Sequence, residues 1–140
     1  FSDPYFSAGQ VIVTRANDSS IQTVEDLVGK KISVQIGTTG DLAASEIQGA
    51  TVKRFNLAPD AIQEVRNASV PACIIDLAVA AEIAKEFKDI KFGEPFTMEY
   101  YGIAIRKDNT ELIKKINRAL ASIKASGEYD KIYTDWFGGN

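Results

Sequence analysis

Histidine is absent from this chain of 140 residues, and cysteine occurs only once, as Cys73. Without histidine, Ser–His and Cys–His nucleophilic catalysis, most zinc hydrolase sites and the usual proton shuttle are excluded. A single cysteine excludes an internal disulfide framework and a zinc site built from cysteines. Cys73 lies in the apolar run 72–75, and we interpret it as a small core residue of a buried strand. The sequence therefore predicts no metal site, no cofactor and no catalytic residue.

Long apolar runs and an excess of basic charge are also missing. No run approaches the roughly 20 apolar residues that a membrane-spanning helix needs. The 16 basic and 19 acidic residues leave a formal net charge of −3. That balance provides no basic stripe for nucleic acid and no attraction to an anionic membrane surface. The composition, 45% hydrophobic and 25% charged, is typical of a soluble globular domain with its own core.

Short apolar strands alternate with helical segments over the first two thirds of the chain. This alternation predicts an α/β fold in which helices cover a mostly parallel sheet. The uninterrupted apolar runs 11–13 and 73–75 are typical of strands buried on both faces. The predicted strands are 10–15, 31–36, 51–55, 72–75 and 90–92, and the predicted helices are 23–29, 41–48, 59–67 and 76–87.

The last third of the chain has a different pattern. We predict a strand over 100–105 and two helices over 110–125 and 128–137, with Ser126-Gly127 between them. Apolar residues recur at helical spacing in both helices. In the second helix they form an aromatic stripe, which we interpret as packing against a core. The stripe consists of Tyr129, Ile132, Tyr133 and Trp136.

The turn Gly37-Thr38-Thr39-Gly40 joins a predicted strand to a predicted helix. The first N–H groups of a helix lack internal partners and carry partial positive charge, so such a turn can hold an anion. The residues do not match a phosphate loop, and a ligand carboxylate suits them better than a triphosphate. In the alternative interpretation, Thr39 only caps its helix and Gly37 only permits the turn. Asp41 favours this alternative, because an acid in the first turn repels a second anion.

Asp76 follows the apolar strand 72–75. In open α/β sheets, ligands bind outside the carboxyl ends of the strands. A carboxylate at this place can pair with an ammonium group, so Asp76 and the Thr38-Thr39 turn would hold both ends of a free α-amino acid. The alternative is that Asp76 caps the helix that follows it. The residues alone leave the two interpretations open.

Several short strings follow one another along the chain. They are Phe1-Ser2-Asp3-Pro4-Tyr5-Phe6, Gly9-Gln10-Val11, the segment 23–30, Gln35-Ile36-Gly37-Thr38-Thr39-Gly40, Ile75-Asp76, Tyr101-Gly102-Ile103-Ala104, the segment 127–133 and Trp136-Phe137-Gly138. In residues and order they resemble the polar amino-acid-binding proteins of ABC importers, which are extracytoplasmic solute-binding proteins of the family 3 type. Each string alone is a weak signal, but the ordered set spans the chain.

This resemblance implies a type II periplasmic-binding-protein fold, in which two α/β lobes are joined by crossover strands and close like a hinge. Residues 1–7 would form the first crossover strand. Residues 8–98 would form the second lobe, and residues 99–140 the return crossover and two C-terminal helices that normally pack on the first lobe. The implied partners are a free polar L-amino acid and an ABC permease. The implied location is the periplasm, or the cell surface through a lipoprotein anchor.

The resemblance also implies a role for each site residue. The Thr38-Thr39 turn would hold the ligand α-carboxylate, Asp76 would take the α-ammonium, and Gln35 would face the ligand. The family's N-terminal portion, which forms most of the first lobe, has no counterpart in these 140 residues. We therefore expect weak or undetectable amino-acid binding by this chain alone.

The missing lobe leads to further expectations. The aromatic stripe of 128–137 would lose its normal partner, so we expect it to pack on the remaining sheet, or the chain to dimerise by exchanging its terminal helices. Ala68 and Pro71 stand where family members often carry glycine and aspartate, which predicts an altered local backbone or a divergent member. Two other functions stay open. One is a half-domain with a structural or oligomerising role and no ligand, and the other is a dehydratase that uses Asp76 or Glu99 as acid or base.

Overall fold

The computed structural model describes residues 1–137, which divide into two compact units. The first unit combines Phe1–Ser7 with the chain from Glu99 onward, and the second is the continuous segment Ala8–Met98. Gly138 of the C-terminal motif and the end of the predicted 99–140 segment lie outside the described residues. That these segments are crossover strands and the second lobe of a larger fold stays a prediction.

The described residues contain two sheets and six helical segments. The strands are β1 Phe6–Ala8, β2 Gln10–Arg15, β3 Lys31–Gln35, β4 Thr51–Phe55, β5 Ala72–Asp76, β6 Ile90–Phe92 and β7 Glu99–Tyr101. The helices are α1 Thr39–Ser45, α2 Ala58–Arg66, α3 Leu77–Glu86, α4 Thr110–Ala125, α5 Glu128–Phe137 and a short 3₁₀ helix, Val24–Leu27.

The second unit is built on a five-stranded sheet in the order β4-β3-β5-β2-β6. Strand β3 is parallel to both of its neighbours, β4 and β5, whereas β2 is antiparallel to β5 and β6. The predicted mostly parallel sheet is therefore confirmed, with β2 as the one reversed strand. Because of this reversal, the amino end of β2 lies beside the carboxyl end of β5, where Gln10 is paired with Asp76.

Both faces of this sheet are covered by helices, which confirms the predicted cover of the sheet by helices. On one face, α2 and α3 bury Val11 and Val13 of β2 against Ile62 and Val65. On the other face, α1 and the 3₁₀ helix enclose a cluster that contains Leu27, Ile32, Val34, Ala44 and Ile74. The alternation of side chains along each strand supplies apolar groups to the two faces in turn.

Cys73 is a core residue, as its sequence context predicts. It has no exposed surface and belongs to the cluster under α2 and α3. Burial raises the pKa of its thiol to about 12. The thiolate is the reactive form of cysteine, so Cys73 is a packing group at neutral pH and not a nucleophile.

Helix α2 ends in a Schellman motif with alanine at the position that usually carries glycine. The Ser69 N–H donates to the Glu64 carbonyl at 2.9 Å, and the Ala68 N–H donates to the Val65 carbonyl at 3.1 Å. Ala68 has a φ of 61°, in the left-handed region. The expectation of an altered backbone at Ala68 is therefore wrong, because the capping hydrogen bonds hold alanine in this conformation.

Replacing Ala68 with glycine is expected to stabilise the second unit by about 0.5–1 kcal/mol. The left-handed conformation costs a residue with a Cβ about 1–2 kcal/mol, and the greater freedom of glycine in the unfolded chain offsets part of that gain. Chemical denaturation followed by circular dichroism measures the difference. Ser69→Gly, one residue later and also exposed, is the control that carries the entropic cost alone. Equal destabilisation by both substitutions would show that Ala68 is not strained.

The first unit contains β7, α4, α5 and all of β1 except its last residue, Ala8. Strands β1 and β7 form a two-stranded sheet. The bounds of both helices agree with the prediction, whereas the predicted strand 100–105 is wrong beyond Tyr101, because β7 ends there. The Phe6 ring lies 5.4 Å from the Tyr101 ring and 5.3 Å from the Phe137 ring, measured between centroids. This aromatic cluster joins the two ends of the chain within the unit.

The aromatic stripe of α5 is largely exposed. No described residue of α4 or α5 is buried, and Ile132 and Trp136 are 46% and 62% exposed. Our interpretation of the stripe as core is wrong for the described residues of α5, and its packing on the remaining sheet stays a prediction. The exchange of terminal helices in a dimer stays a prediction. None of the helices in residues 1–137 combines the length and apolar composition needed to cross a membrane.

Candidate functional site

The four predicted ligand residues lie at the carboxyl ends of two neighbouring strands. Gln35 is the last residue of β3, Thr38 and Thr39 follow it, and Asp76 ends β5. The parallel register pairs Ser33 with Cys73, so Gln35 lies level with the residue before Asp76. The fold therefore places the threonine turn and Asp76 at the same edge of the sheet.

Gly40 lets helix α1 start directly against β5. A Cβ atom at this position would lie 2.9 Å from the carbonyl oxygen of Ile74 and 2.7 Å from Oε1 of Gln10. Real Cβ contacts essentially never fall below 3.0 Å, so only glycine fits here without movement. Gln10 is the residue paired with Asp76, which places the start of α1 beside the end of β5.

Thr38 is the N-cap of α1. Its Oγ1 donates to the Gln35 carbonyl at 2.7 Å and accepts from the Asp41 N–H at 3.2 Å. The alternative in which Thr39 caps the helix is wrong, and α1 begins at Thr39, two residues before the predicted start. The Thr38 hydroxyl proton is engaged in the turn, whereas the Thr39 side chain is exposed. Thr39 is therefore the hydroxyl of this turn that solvent or a ligand reaches.

Asp41 turns its carboxylate back toward the turn. The Gly37 N–H donates to Oδ2 at 3.0 Å, and Nε of Arg54 donates to Oδ1 and Oδ2 at 2.9 and 3.0 Å. The hydrogen bond from Gly37, followed by the Arg54 guanidinium, lowers the pKa of the Asp41 carboxyl below its usual value. The sequence argument that Asp41 would repel a second anion is weakened, because Arg54 pairs with that charge.

Arg54 was not singled out by the sequence. It lies on β4, opposite Val34 of β3, and its Nη2 also donates to the Ser45 hydroxyl at 3.0 Å. Gln35 is tied to the same neighbouring strand, because its Nε2 donates to the Asn56 carbonyl at 3.3 Å. The end of β4 therefore supports the turn from the side away from β5.

Asp76 caps helix α3. Its Oδ1 accepts a hydrogen bond from the Ala78 N–H at 2.9 Å. The capping interpretation is confirmed, but it does not exclude the other one. A carboxylate accepts several hydrogen bonds at once through its two oxygens, so a cap and an ammonium contact are compatible.

A cavity of about 510 Å³ lies elsewhere in the second unit. Its lining includes Ile12 and Thr14 of β2, Val24 of the 3₁₀ helix, and Phe96, and it includes none of the four predicted ligand residues. Those four lie at the carboxyl ends of β3 and β5, where Thr39 is exposed and Asp76 is half-buried. Across residues 1–137, no group of three or more His, Cys, Asp or Glu side chains is arranged to hold a metal ion.

Comparison with protein families finds one whose model matches residues 1–139, described as "Bacterial extracellular solute-binding proteins, family 3". The chain is 32% identical to the L-cystine-binding protein TcyJ of Escherichia coli (strain K12) over 142 residues, which cover 99% of this chain and 53% of that protein. The chain spans about half the length of the curated relatives it matches.

Solved structures of amino-acid-binding proteins are also similar to this chain. An ancestral arginine-binding protein bound to arginine is 46% identical, with a TM-score of 0.80, over 99% of this chain and 64% of that one. The ancestral amino-acid-binding protein AncCDT-1, a precursor of cyclohexadienyl dehydratase, is 39% identical, with a TM-score of 0.84, over 98% of this chain and 61% of that one. The fold shared with these proteins is the type II periplasmic-binding-protein fold.

Proposed function

This chain belongs to the bacterial extracellular solute-binding proteins of family 3, and we propose that it provides one side of a binding site for a free polar L-amino acid. In the complete site, the amino acid would be held outside the cytoplasm and delivered to an ABC permease. The Thr38-Thr39 turn would receive the ligand α-carboxylate, Asp76 the α-ammonium, and Gln35 would face the ligand.

The observation that carries this proposal is the meeting of the threonine turn and Asp76 at one sheet edge. Gly40 brings the start of α1 against Ile74, two residues before Asp76. Hydrogen-bond donors and a carboxylate on adjacent strand ends match the two charges of an α-amino acid. The arginine-binding and cystine-binding relatives support a polar amino acid as the ligand class.

For these 140 residues alone, we propose weak binding. The chain spans about half of its curated relatives, so contacts from the rest of the family fold would be missing. Each missing charged hydrogen bond costs roughly 1.5–3 kcal/mol. Two such losses reduce affinity by a factor of about 10² to 10⁴. Side-chain selectivity would also come from the part of the fold that these residues do not include.

Two-dimensional NMR titration with L-arginine, L-lysine, L-glutamine and L-histidine tests the site. We expect millimolar-range shift changes confined to the amides around Thr38, Thr39 and Asp76. Asp76→Asn should weaken these changes at least about tenfold, because it removes the charge that pairs with the ammonium while asparagine remains a good N-cap. The control is Asp60→Asn, an exposed acid in the first turn of α2.

The oligomeric mass of each sample is measured by light scattering. Shift changes centred on the 510 Å³ cavity, or equal loss in Asp76→Asn and Asp60→Asn, would contradict the assigned site. Micromolar affinity in a monomer would contradict the proposal of weak binding. A dimer that binds tightly would indicate instead that a second copy completes the site.

A second candidate is a half-domain that assembles through its C-terminal helices without a ligand. The observation in its favour is the exposure of Ile132 and Trp136 on α5, since exposed apolar patches mark interfaces. An enzyme on the same fold has less support. The chain has no histidine, the usual proton shuttle of such an enzyme. We propose a binding module for this reason.

A further inference from the structure

Asp41 connects every fixed part of the threonine turn. Its carboxylate accepts the Gly37 N–H, its own N–H donates to the Thr38 hydroxyl, and that hydroxyl donates to the Gln35 carbonyl. Gly37 takes a φ of 73°, which lets the backbone fold back onto Asp41. Of these three hydrogen bonds, the one that holds the Gly37 amide depends on the largely buried Asp41 carboxylate.

Arg54 holds the Asp41 carboxylate in place. Its Nε donates to both oxygens of Asp41, and its Nη2 donates to the Ser45 hydroxyl. The Ser45 hydroxyl donates to the Asp41 carbonyl at 2.8 Å, which closes the cluster on α1. Charge-assisted hydrogen bonds of this kind hold geometry more firmly than neutral ones.

The ion pair also determines the charge near the turn. A lone Asp41 carboxylate would repel a ligand carboxylate arriving at Thr38 and Thr39, whereas the pair with Arg54 has no net charge. Arg54 lies opposite Val34 on β3, and Val34 packs in the same cluster as Ala44 of α1. Paired residues of neighbouring strands point to the same face of a sheet. The Arg54 side chain therefore lies on the face that α1 covers, where it contacts Asp41.

We infer that Asp41 and Arg54 are positioning residues of the proposed ligand site: Asp41 holds the Gly37–Thr39 turn in the shape that receives the ligand carboxylate, and Arg54 both orients Asp41 and cancels its charge. This inference rests on the proposed function. Neither residue needs to touch the ligand.

The test is NMR on the full chain with four variants. Asp41→Asn keeps the size and removes the charge, Arg54→Gln removes the cation, and Arg54→Lys keeps the charge without the guanidinium. Arg66→Gln is the matched control, because Nε of Arg66 donates to both oxygens of Asp89 in the same unit at 3.1 and 2.9 Å.

Two readouts follow the turn itself. Hydrogen exchange of the Gly37 amide should rise at least about tenfold in Asp41→Asn, less in Arg54→Lys, and not at all in Arg66→Gln. In the wild type, the Gly37 resonance should titrate with the Asp41 carboxyl, at a midpoint below the usual pKa of an aspartate. Arg54→Gln should raise that midpoint, because the cation that favours the ionised form is gone.

The ligand arm compares L-arginine with L-argininamide, which lacks the carboxylate. Arg54→Gln should weaken the shift changes caused by L-arginine more than Asp41→Asn does, and should leave those caused by L-argininamide unchanged. A purely structural role predicts equal loss for both ligands. Unchanged Gly37 exchange in Asp41→Asn, or equal effects of Arg54→Gln and Arg66→Gln, overturns the inference.

The two hypotheses fail separately. If none of the four amino acids of the panel causes shift changes in the wild type, the proposed function fails for this chain. The Gly37 exchange and titration still decide whether Asp41 and Arg54 hold the turn.

Discussion

Replacing Gly40 with alanine is expected to lower the free energy of unfolding of the second unit by about 2–3 kcal/mol. The added methyl group would lie 2.9 Å from the Ile74 carbonyl oxygen and 2.7 Å from Oε1 of Gln10. The Gln10 side chain can adjust, but the Ile74 carbonyl belongs to the sheet, so α1 has to move away from β5. This movement separates the threonine turn from Asp76, and the amides of residues 37–40 should shift with it.

Gly93→Ala is the matched control. A Cβ at Gly93 meets no atom within 4 Å, so this substitution should change the unfolding free energy by less than about 0.5 kcal/mol. Urea denaturation followed by circular dichroism gives both values. Tryptophan fluorescence is less suitable, because Trp136 is the only tryptophan and belongs to the first unit. Equal stability of the two variants would show that α1 does not need a glycine to approach β5.

Truncating Ile74 to alanine should lower the free energy of unfolding of the second unit still further, by about 3 kcal/mol. Substitutions of this kind in a protein core usually cost about 2–5 kcal/mol. Ile74 has no exposed surface and packs with Ile32 and Val34 under α1. Removing its side chain leaves a cavity between the strand that carries Asp76 and the helix that carries the turn. The loss includes the transfer of the deleted groups and the missing contacts around them.

The corresponding control is Ile36→Ala, since Ile36 is 53% exposed at the start of the turn. We expect it to cost less than about 0.5 kcal/mol. A calorimetric unfolding enthalpy, measured beside the denaturant midpoint, separates loss of packing from a change in the denatured chain. If Ile74→Ala were as mild as Ile36→Ala, the cluster under α1 would not support the site edge.

The sequence predicts the fold best where a local signal marks the end of an element. Helices α4 and α5 have the predicted bounds because Asn109 caps the first and Ser126-Gly127 separates them. The buried strands were found because their apolar runs need cover on both faces. The reversed direction of β2 could not be predicted from the sequence, because its apolar pattern is the same for a parallel and an antiparallel strand.

The site was only partly predictable for a related reason. Thr38 and Thr39 are adjacent and chemically alike, and the one that caps α1 depends on the left-handed backbone at Gly37. The Asp41–Arg54 pair arises because β4 lies beside β3 in the sheet, which no local pattern reveals. In α5, helical spacing identifies an apolar face but does not say what covers it, so the spacing alone does not distinguish a buried Trp136 from the exposed one that the structure shows.

The division of the chain into one continuous and one discontinuous unit has a consequence for synthesis on the ribosome. All residues of the second unit are available once Met98 has left the exit tunnel. The first unit cannot form at that moment, because β1 has to wait for β7 and for the aromatic rings of α5. Domains fold as units and in the order of their emergence. The unit that carries the threonine turn and Asp76 is thus expected to reach its native shape while the terminal helices are still being translated.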